Sequence, residues 1–238
     1  PPSYLEIVTQ ELKTSYVDFF GGPDAAHQDF SLLQKAINYS MTSFLTTGGI
    51  RGNKAGAAHF QPRSFNMGIS KDAFEASGGF GKIHPGEDPD LTIRLWNLGY
   101  RSKLIPEAFV YHKRRISWKK FYQQVRKFGL VRPILNSWHP ETAKVTYWFP
   151  ALFLCFVIFS LITAIFGHFL PIFLVLIYLL LILFHSSFKN KSLIIGVYSV
   201  YATLVQFIGY GLGFLESTFE VNWLKKHPQK RFPHLFFD

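Results

Sequence analysis

The chain has 238 residues, and its 25 Lys and Arg against 15 Asp and Glu give a formal net charge of +10. Aromatic residues make up 18 % of the sequence, and the single cysteine excludes a disulfide framework and a cysteine-ligated zinc site. The cations flank apolar stretches and do not alternate with exposed aromatic residues, which argues against a nucleic-acid partner.

The first 115 residues alternate between helical and extended patterns. A glycine-rich loop with Arg51 and Lys54 is expected over residues 48–56. Because strands that alternate with helices are typical of α/β sheets, we predict an α/β fold for this part. In chain order the predicted elements are a helix over 4–13, a strand over 16–20, a helix over 29–46, a strand over 65–69, a short helix capped by Ser70, a helix that residues 87–90 open and Gly99 closes, and strands over 102–105 and 108–112.

An acidic cluster opens the last of these helices. Asp88 is expected to be its N-cap, Pro89 its first helical residue, and Asp90 an acid that the helix dipole favours. Capping does not explain Glu87, the additional acid just before the cap. An ionised carboxylate at a helix N-terminus is also what a general base needs at the start of a reaction. The residues alone therefore leave a structural and a catalytic interpretation open.

Residues 116–143 combine an apolar and a basic helical face. At helical spacing, one face carries Trp118, Phe121, Tyr122, Val125 and Phe128, and the other carries Lys119, Lys120, Arg126 and Lys127. A basic amphipathic helix with aromatic residues is typical of a membrane interface. A helix that packs on its own domain would show the same pattern, and both interpretations remain open.

The following part of the chain is strongly apolar. From Val145 to Phe188, 44 residues contain no Asp, Glu, Lys or Arg. Since about 20 apolar residues span a bilayer as a helix, we predict transmembrane helices over about 145–166, 169–188 and 193–215, within a region 144–216. A basic tail, 217–238, follows. Gly209 and Gly213 have the spacing that permits a close helix–helix approach.

The distribution of cations predicts the orientation in the membrane. Eight basic residues and no acid lie between Lys113 and Arg132, which places residues 1–143 in the cytoplasm. We therefore expect a multi-pass protein of the plasma (bacterial inner) membrane whose first part, residues 1–143, is cytoplasmic. Three full crossings would place the basic tail outside, against the same rule. Either the third segment is re-entrant or the tail is an exception.

Several strings resemble, in order and spacing, a membrane-bound family-2 glycosyltransferase of the GT-A type. The resemblance covers about residues 1–132 and implies that 1–115 is the C-terminal half of a GT-A (nucleotide-diphospho-sugar transferase) domain, followed by an α-helical transmembrane region. The strings that carry it are Phe-Asn-Met-Gly-Ile-Ser at 65–70, Phe-Glu-Ala-Ser-Gly-Gly-Phe at 74–80, Gly-Glu-Asp-Pro-Asp-Leu-Thr-Ile-Arg-Leu at 86–95, Gly-Tyr at 99–100 and Pro-Glu-Ala-Phe-Val-Tyr-His at 106–112.

The resemblance also implies an activity and a set of site residues. Asp88 is similar to the base that deprotonates an acceptor hydroxyl in inverting transfer, and Glu87 would support it. His112 lies where some relatives place a metal ligand or a diphosphate contact, and a solvated histidine at the end of a strand is an equally open interpretation. The residues that the resemblance assigns to substrate binding are Asn66, Asp90, Arg94, Arg115, Gln123 and Arg126.

Residues 123–127 resemble the Gln-x-x-Arg-Trp motif of processive polymer synthases, except that Lys127 replaces the tryptophan. The resemblance therefore favours a non-processive transferase, which adds one sugar per encounter.

The donor-binding half of such domains ends in an Asp-x-Asp motif that holds Mg²⁺ or Mn²⁺. We do not find in the sequence a nucleotide-binding strand–helix–strand unit that ends in this motif, and the opening residues resemble the segment just after it. We therefore expect a chain that lacks the donor-binding half and is inactive by itself. The intact enzyme would use a nucleotide-diphosphate sugar and a lipid-linked or envelope glycan acceptor. Two alternatives are a non-catalytic membrane scaffold and a polyprenyl-phosphate sugar transferase.

Overall fold

The structure is a computed structural model that describes residues 1–25, 27, 29–47 and 60–237. The predicted glycine-rich loop with Arg51 and Lys54 lies outside these residues. The chain divides into two units, each formed by separate stretches of sequence. Unit one comprises Pro1–Gln28, Gly52–Lys113 and Phe232–Asp238, and unit two comprises Asp29–Arg51 and Arg114–Arg231.

Unit one is an α/β unit with short strands. Its helices are α1 (Tyr4–Thr14), α4 (Lys71–Ala76) and α5 (Glu87–Asn97), and its strands are β1 (Phe19–Gly21), β2 (Asp24–Ala25), β3 (Met67–Ile69), β4 (Ser102–Leu104) and β5 (Val110–Tyr111). The strands are shorter than predicted: each consists of only two or three residues that pair with a neighbouring strand.

The strands of unit one form two small sheets. In the three-stranded sheet, in the order β3-β1-β4, β1 pairs antiparallel with β3 and parallel with β4. Phe20 is the central residue of β1 and lies opposite Gly68 and Lys103. In the two-stranded sheet, β2 runs parallel to β5. The predicted α/β class is therefore present as a small mixed sheet.

The core of unit one positions α5. Leu91 and Leu95, four residues apart on one face of α5, pack with Phe19 and Ala73 in a buried cluster. This spacing is one turn of helix, so a single face of α5 covers the sheet. Ser70 caps α4 as predicted, since its hydroxyl accepts a hydrogen bond from the Ala73 amide.

Unit two is helical. Its helices are α2 (Leu32–Thr42), α3 (Phe44–Thr47), α6 (Trp118–Trp138), α7 (Phe149–Ile165), α8 (Leu170–Asn190), α9 (Leu193–Ser217) and α10 (Pro228–Arg231), with a π-helical turn at Thr218–Trp223. The three segments long and apolar enough to cross a membrane are Val145–Ile165, Leu170–Asn190 and Leu193–Trp223, close to the predicted ranges.

The helix predicted over 29–46 is interrupted. It begins after Ser31, which forms a capping box with Gln34, and it ends at Ser43, whose extended backbone separates α2 from α3. Residues 29–51 belong to unit two although they lie within the predicted 1–115 domain, and residues 232–238 of the predicted tail belong to unit one. These segments pack against residues distant in the sequence, and the domain boundaries drawn from the sequence stay a prediction.

Helix α6 packs along α9. Phe121 and Val125 of α6 are buried in one cluster with α2 residues and with Ala202 of α9. A Cβ on Gly213 would clash with the Arg126 carbonyl of α6, so the close approach predicted for this glycine occurs here. The structure supports packing as the reason for the apolar face of α6. Its location at a membrane interface stays a prediction.

Candidate active site

The first turn of α5 carries the acid pair. Gly86 precedes the helix with φ 120°, a conformation that glycine adopts without strain. The helix therefore begins at Glu87, and the prediction that Asp88 is the N-cap is wrong. Pro89 occupies the third helical position, where its missing amide hydrogen costs nothing because the first four amides of a helix have no partner within it.

Each carboxylate of the pair has a basic neighbour. The Nη1 atom of Arg63 lies 3.7 Å from Oδ2 of Asp88, and the Nδ1 atom of His84 lies 3.1 Å from Oε2 of Glu87. The Asp88 and Glu87 side chains are 14 % and 18 % exposed. Both acids therefore remain reachable from solvent, and a charged or polar side chain lies beside each of them.

Asp90 and Arg94, both predicted to bind substrate, form a clamp within unit one. Asp90 accepts hydrogen bonds from Nε and Nη2 of Arg94 at 3.1 and 2.9 Å. The same guanidinium donates to the Ser77 carbonyl and, at 2.7 Å, to the Gly79 carbonyl. Since these bonds tie α5 to the turn after α4, the geometry gives Asp90 and Arg94 a structural role.

Asn66, another predicted substrate contact, lies inside unit one with 3 % of its surface exposed. Its amide nitrogen donates to the Ala108 carbonyl at 2.9 Å, and its oxygen accepts from the Tyr4 hydroxyl at 2.7 Å. Both polar ends of the side chain are thus used to join three parts of the chain. Asn66 is therefore a buried residue that links these parts by hydrogen bonds, and it does not lie on the surface.

His112 packs against an aromatic ring. Its ring stacks on Phe65, with centroids 3.9 Å apart and planes at 23°. In the ranges that the structure describes, no three His, Cys, Asp or Glu side chains come together as metal ligands. The predicted Mg²⁺ or Mn²⁺ ion belongs to the intact enzyme, whose Asp-x-Asp ligands are not among these residues, and it stays a prediction.

Arg115, Gln123 and Arg126 belong to unit two. Arg115 and Gln123 are exposed. Arg126 donates to Oε2 of Glu216 at 2.6 Å and so joins α6 to α9. This ion pair lies beside the contact at Gly213 and strengthens the same helix packing.

Two residues near the acid pair were not predicted from the sequence. His84 precedes Glu87 by three residues, a spacing that could have indicated it. Arg63 comes 25 residues before Asp88 and carries no comparable signal. Only folding of the intervening chain brings this arginine to the acid.

The fold and the acid pair together describe one type of chain. It has a small mixed α/β unit with two accessible carboxylates at the start of a helix, and it also has three candidate membrane helices. Residues 1–186 match the model of the family described as Glycosyl transferase family group 2. The chain therefore belongs to this family, which confirms the family-2 part of the resemblance drawn from its motifs.

A curated relative also carries a glycosyltransferase name. Over 59 residues the chain is 34 % identical to the Bacillus subtilis (strain 168) protein named Probable glycosyltransferase YdaM. The matched stretch is 25 % of this chain and 14 % of that protein, so the chain spans a small part of the relative's length.

Proposed function

We propose that the protein is an inverting glycosyltransferase of the GT-A type in which Asp88 is the general base. The observation that carries this proposal is the accessible acid pair on the first turn of α5, with Arg63 beside Asp88 and His84 beside Glu87. A positioned carboxylate that solvent can reach is what proton removal from a sugar hydroxyl requires.

In the proposed step, the Asp88 carboxylate takes the proton of an acceptor hydroxyl. The acceptor oxygen forms a bond to the anomeric carbon of the donor sugar while the bond from that carbon to the diphosphate oxygen breaks. The nucleoside diphosphate leaves with the electron pair, and the configuration at the anomeric carbon inverts. Arg63 orients the base, and Glu87, held by His84, completes the acceptor side of the site.

Unit two supports an acceptor that is linked to a lipid. Arg115, Lys119 and Lys120 are exposed around the start of α6, and three candidate membrane helices follow. Exposed cations beside a membrane suit a polyprenyl-linked acceptor, whose phosphates are anionic. We propose a lipid-linked or envelope glycan acceptor, a nucleotide-diphosphate sugar donor and transfer at the cytoplasmic face of the bacterial inner membrane.

Lys127 supports single-sugar transfer, because a lysine cannot stack on an acceptor sugar as the tryptophan of processive synthases does. Gln123 is exposed one helical turn earlier and is proposed to contact the acceptor.

The test is Asp88→Asn in the protein as its source cell makes it, assayed with a panel of nucleotide-diphosphate sugars. Removal of a positioned base is expected to lower kcat by roughly 10²–10⁴-fold. The matched control is Asp72→Asn, because Asp72 is also the second residue of its helix, α4, and is exposed. Its activity should stay close to that of the unmodified protein.

Transfer by Asp88→Asn at nearly the unmodified rate would refute the base assignment. A natural full-length protein that transfers no sugar from any donor would instead favour the membrane scaffold.

A further inference from the structure

The last described residues of the chain bind to the segment that precedes the acid pair. Phe236 forms an antiparallel bridge with Ile83. The His84 amide donates to the Leu235 carbonyl at 2.7 Å, and the Phe237 amide donates to the Lys82 carbonyl at 2.8 Å. These two bonds flank the bridge in the pattern of an antiparallel ladder.

Side chains reinforce this contact. Ile83 and Leu235 are fully buried, and the Phe237 ring lies 5.6 Å from the His84 ring, centroid to centroid. His84 is the residue that contacts Glu87. The segment Phe232–Phe237, here called the return segment, is therefore an integral part of unit one and borders the candidate active site.

The return segment constrains the path of the chain through a membrane. It can bind Lys82–His84 only if both lie on the same side of the bilayer. Between the two, the chain passes through three candidate spans. We infer that the chain crosses the membrane an even number of times, with α7 and α8 as the crossing pair and α9 as a helix that does not cross.

The surroundings of α9 indicate why it is the helix that does not cross. Helix α6, which carries five cations, lies along α9, with Trp118 against Tyr201 and Arg126 paired to Glu216. If α9 crossed, it would draw these cations into the hydrocarbon core, where Lys and Arg are costly.

Helix α2 gives the same indication. Its Ala36 and Ile37 pack in one cluster with Ala202 of α9, yet α2 has 11 residues, too few to span a bilayer. Helices α7 and α8 have fewer buried positions than α9 and carry no charge before Lys189. They therefore match the lipid environment better than α9 does.

This arrangement resolves the conflict between a basic tail and three crossings. Lys225, Lys226, Lys230 and Arg231 lie on the same side as the basic start of α6, in agreement with the rule that cations stay in the cytoplasm. The inference rests on the contacts of the return segment and does not depend on the proposed chemistry.

A disulfide cross-link tests the contact directly. Ile83→Cys and Phe236→Cys would be introduced together with Cys155→Ser, which removes the natural cysteine. Opposite residues flanked in this way in an antiparallel ladder have Cα atoms about 4.5 Å apart, within the range of a disulfide. After mild oxidation of native membranes, peptide mass spectrometry should find the linked peptides at least about tenfold above the control pair Ile83→Cys with Pro233→Cys. Equal amounts in both pairs would overturn the contact.

Surface labelling tests the crossings. Single cysteines at exposed positions Glu107, His168 and Gln229, each combined with Cys155→Ser, would be treated with a membrane-impermeant maleimide in intact cells and in inside-out vesicles. The expected result is labelling of Glu107→Cys and Gln229→Cys from one face and of His168→Cys, in the α7–α8 turn, from the other. Labelling of Glu107→Cys and Gln229→Cys from opposite faces overturns the even number of crossings. Labelling of all three from one face overturns the crossing of α7 and α8.

Both experiments can fail while Asp88→Asn still abolishes transfer, and the reverse also holds. The inference about topology and the proposed function are therefore tested separately.

Discussion

Asn66 shows how a motif residue can serve the fold at the scale of single side chains. Its side chain forms hydrogen bonds with Tyr4 of α1 and with Ala108 in the segment before β5, and Asn66 itself directly precedes β3. It therefore joins these three parts of the chain. Because Asn66 directly precedes the strand Met67–Ile69, it is part of the motif string at 65–70. The same position buries its side chain. A motif match therefore locates Asn66 without assigning it a contact with substrate.

Asn66→Ala is expected to destabilise unit one. The Ala108 carbonyl and the Tyr4 hydroxyl would each lose a hydrogen-bond partner, at a cost of about 1–3 kcal/mol for a buried group. Thermal unfolding of the purified protein measures the loss, with Asn97→Ala, an exposed position at the end of α5, as control. An unchanged midpoint together with a raised KM would show instead that Asn66 binds substrate.

Arg94→Lys separates a structural from a substrate-binding role for this arginine. A lysine cannot reproduce the planar fork that reaches Asp90, Ser77 and Gly79 at once, so we expect a loss of about 1–3 kcal/mol in the free energy of unfolding. Urea unfolding measures this loss. Normal stability with weakened substrate binding would contradict the clamp.

Tyr4 predicts a dependence of stability on alkaline pH. Burial raises the pKa of its hydroxyl above the ordinary value of 10.0. The protonated form is therefore favoured in the folded state, and the resulting stability is complete below pH 10 and lost as the pH rises through the folded-state pKa. The excess stability of the unmodified protein over Tyr4→Phe, about 0.5–1.5 kcal/mol near neutral pH, should shrink above pH 10. A difference that stays constant with pH would contradict the prediction.

At the scale of elements, the contact of α6 with α9 depends on glycines. A Cβ on Gly129 of α6 would clash with the Tyr210 carbonyl and lie 2.9 Å from the Phe214 amide nitrogen. Both atoms belong to the backbone of α9, so no side chain can move away to make room. The two helices approach this closely because Gly129 of α6 faces the backbone of α9 and Gly213 of α9 faces the backbone of α6.

Gly129→Ala is expected to destabilise unit two by about 1–3 kcal/mol, because it forces the backbones of α6 and α9 apart. In an open helix the same change would stabilise by up to about 1 kcal/mol, so the sign of the effect is diagnostic. Thermal unfolding in detergent measures the change, and Leu212→Ala, on an exposed position of α9, is the control for a general effect on the helix. A gain in stability would show that the helices are not in contact at Gly129.

At the scale of the whole molecule, the apolar helices predict membrane integration. Leu176, near the centre of the apolar part of α8, is 47 % exposed. Leu176→Lys would place a charge at the depth of the lipid chains, at a cost of about 2.5–3.5 kcal/mol.

We therefore expect a smaller fraction of Leu176→Lys than of the unmodified protein to resist alkaline carbonate extraction. Asn190→Lys adds the same charge at the end of α8, beside Lys189 and Lys191, and should have no such effect. Equal extraction of the two variants would argue that α8 does not lie in lipid.

The linear sequence was sufficient to predict the family, the three apolar helices and the helix that carries the acid pair. Each of these features depends on residues that are close together in the chain: a run of uncharged residues, a motif string, or the acidic cluster with its Asp-Pro pair. The exact start of α5 was predicted two residues too late, because Gly86 and its positive φ, not the Asp-Pro pair, set the N-cap.

Only the tertiary structure decided which parts of the chain belong together. It assigned α2 to the helical unit through Ala36 and Ala202, and the return segment to the α/β unit through Ile83 and Phe236. It also brought Arg63 to Asp88 and tied Arg94 into the fold. The physical reason is that these contacts join residues far apart in sequence, so no local spacing records them, whereas helix periodicity, apolar length and motif order are local properties that a linear sequence states directly.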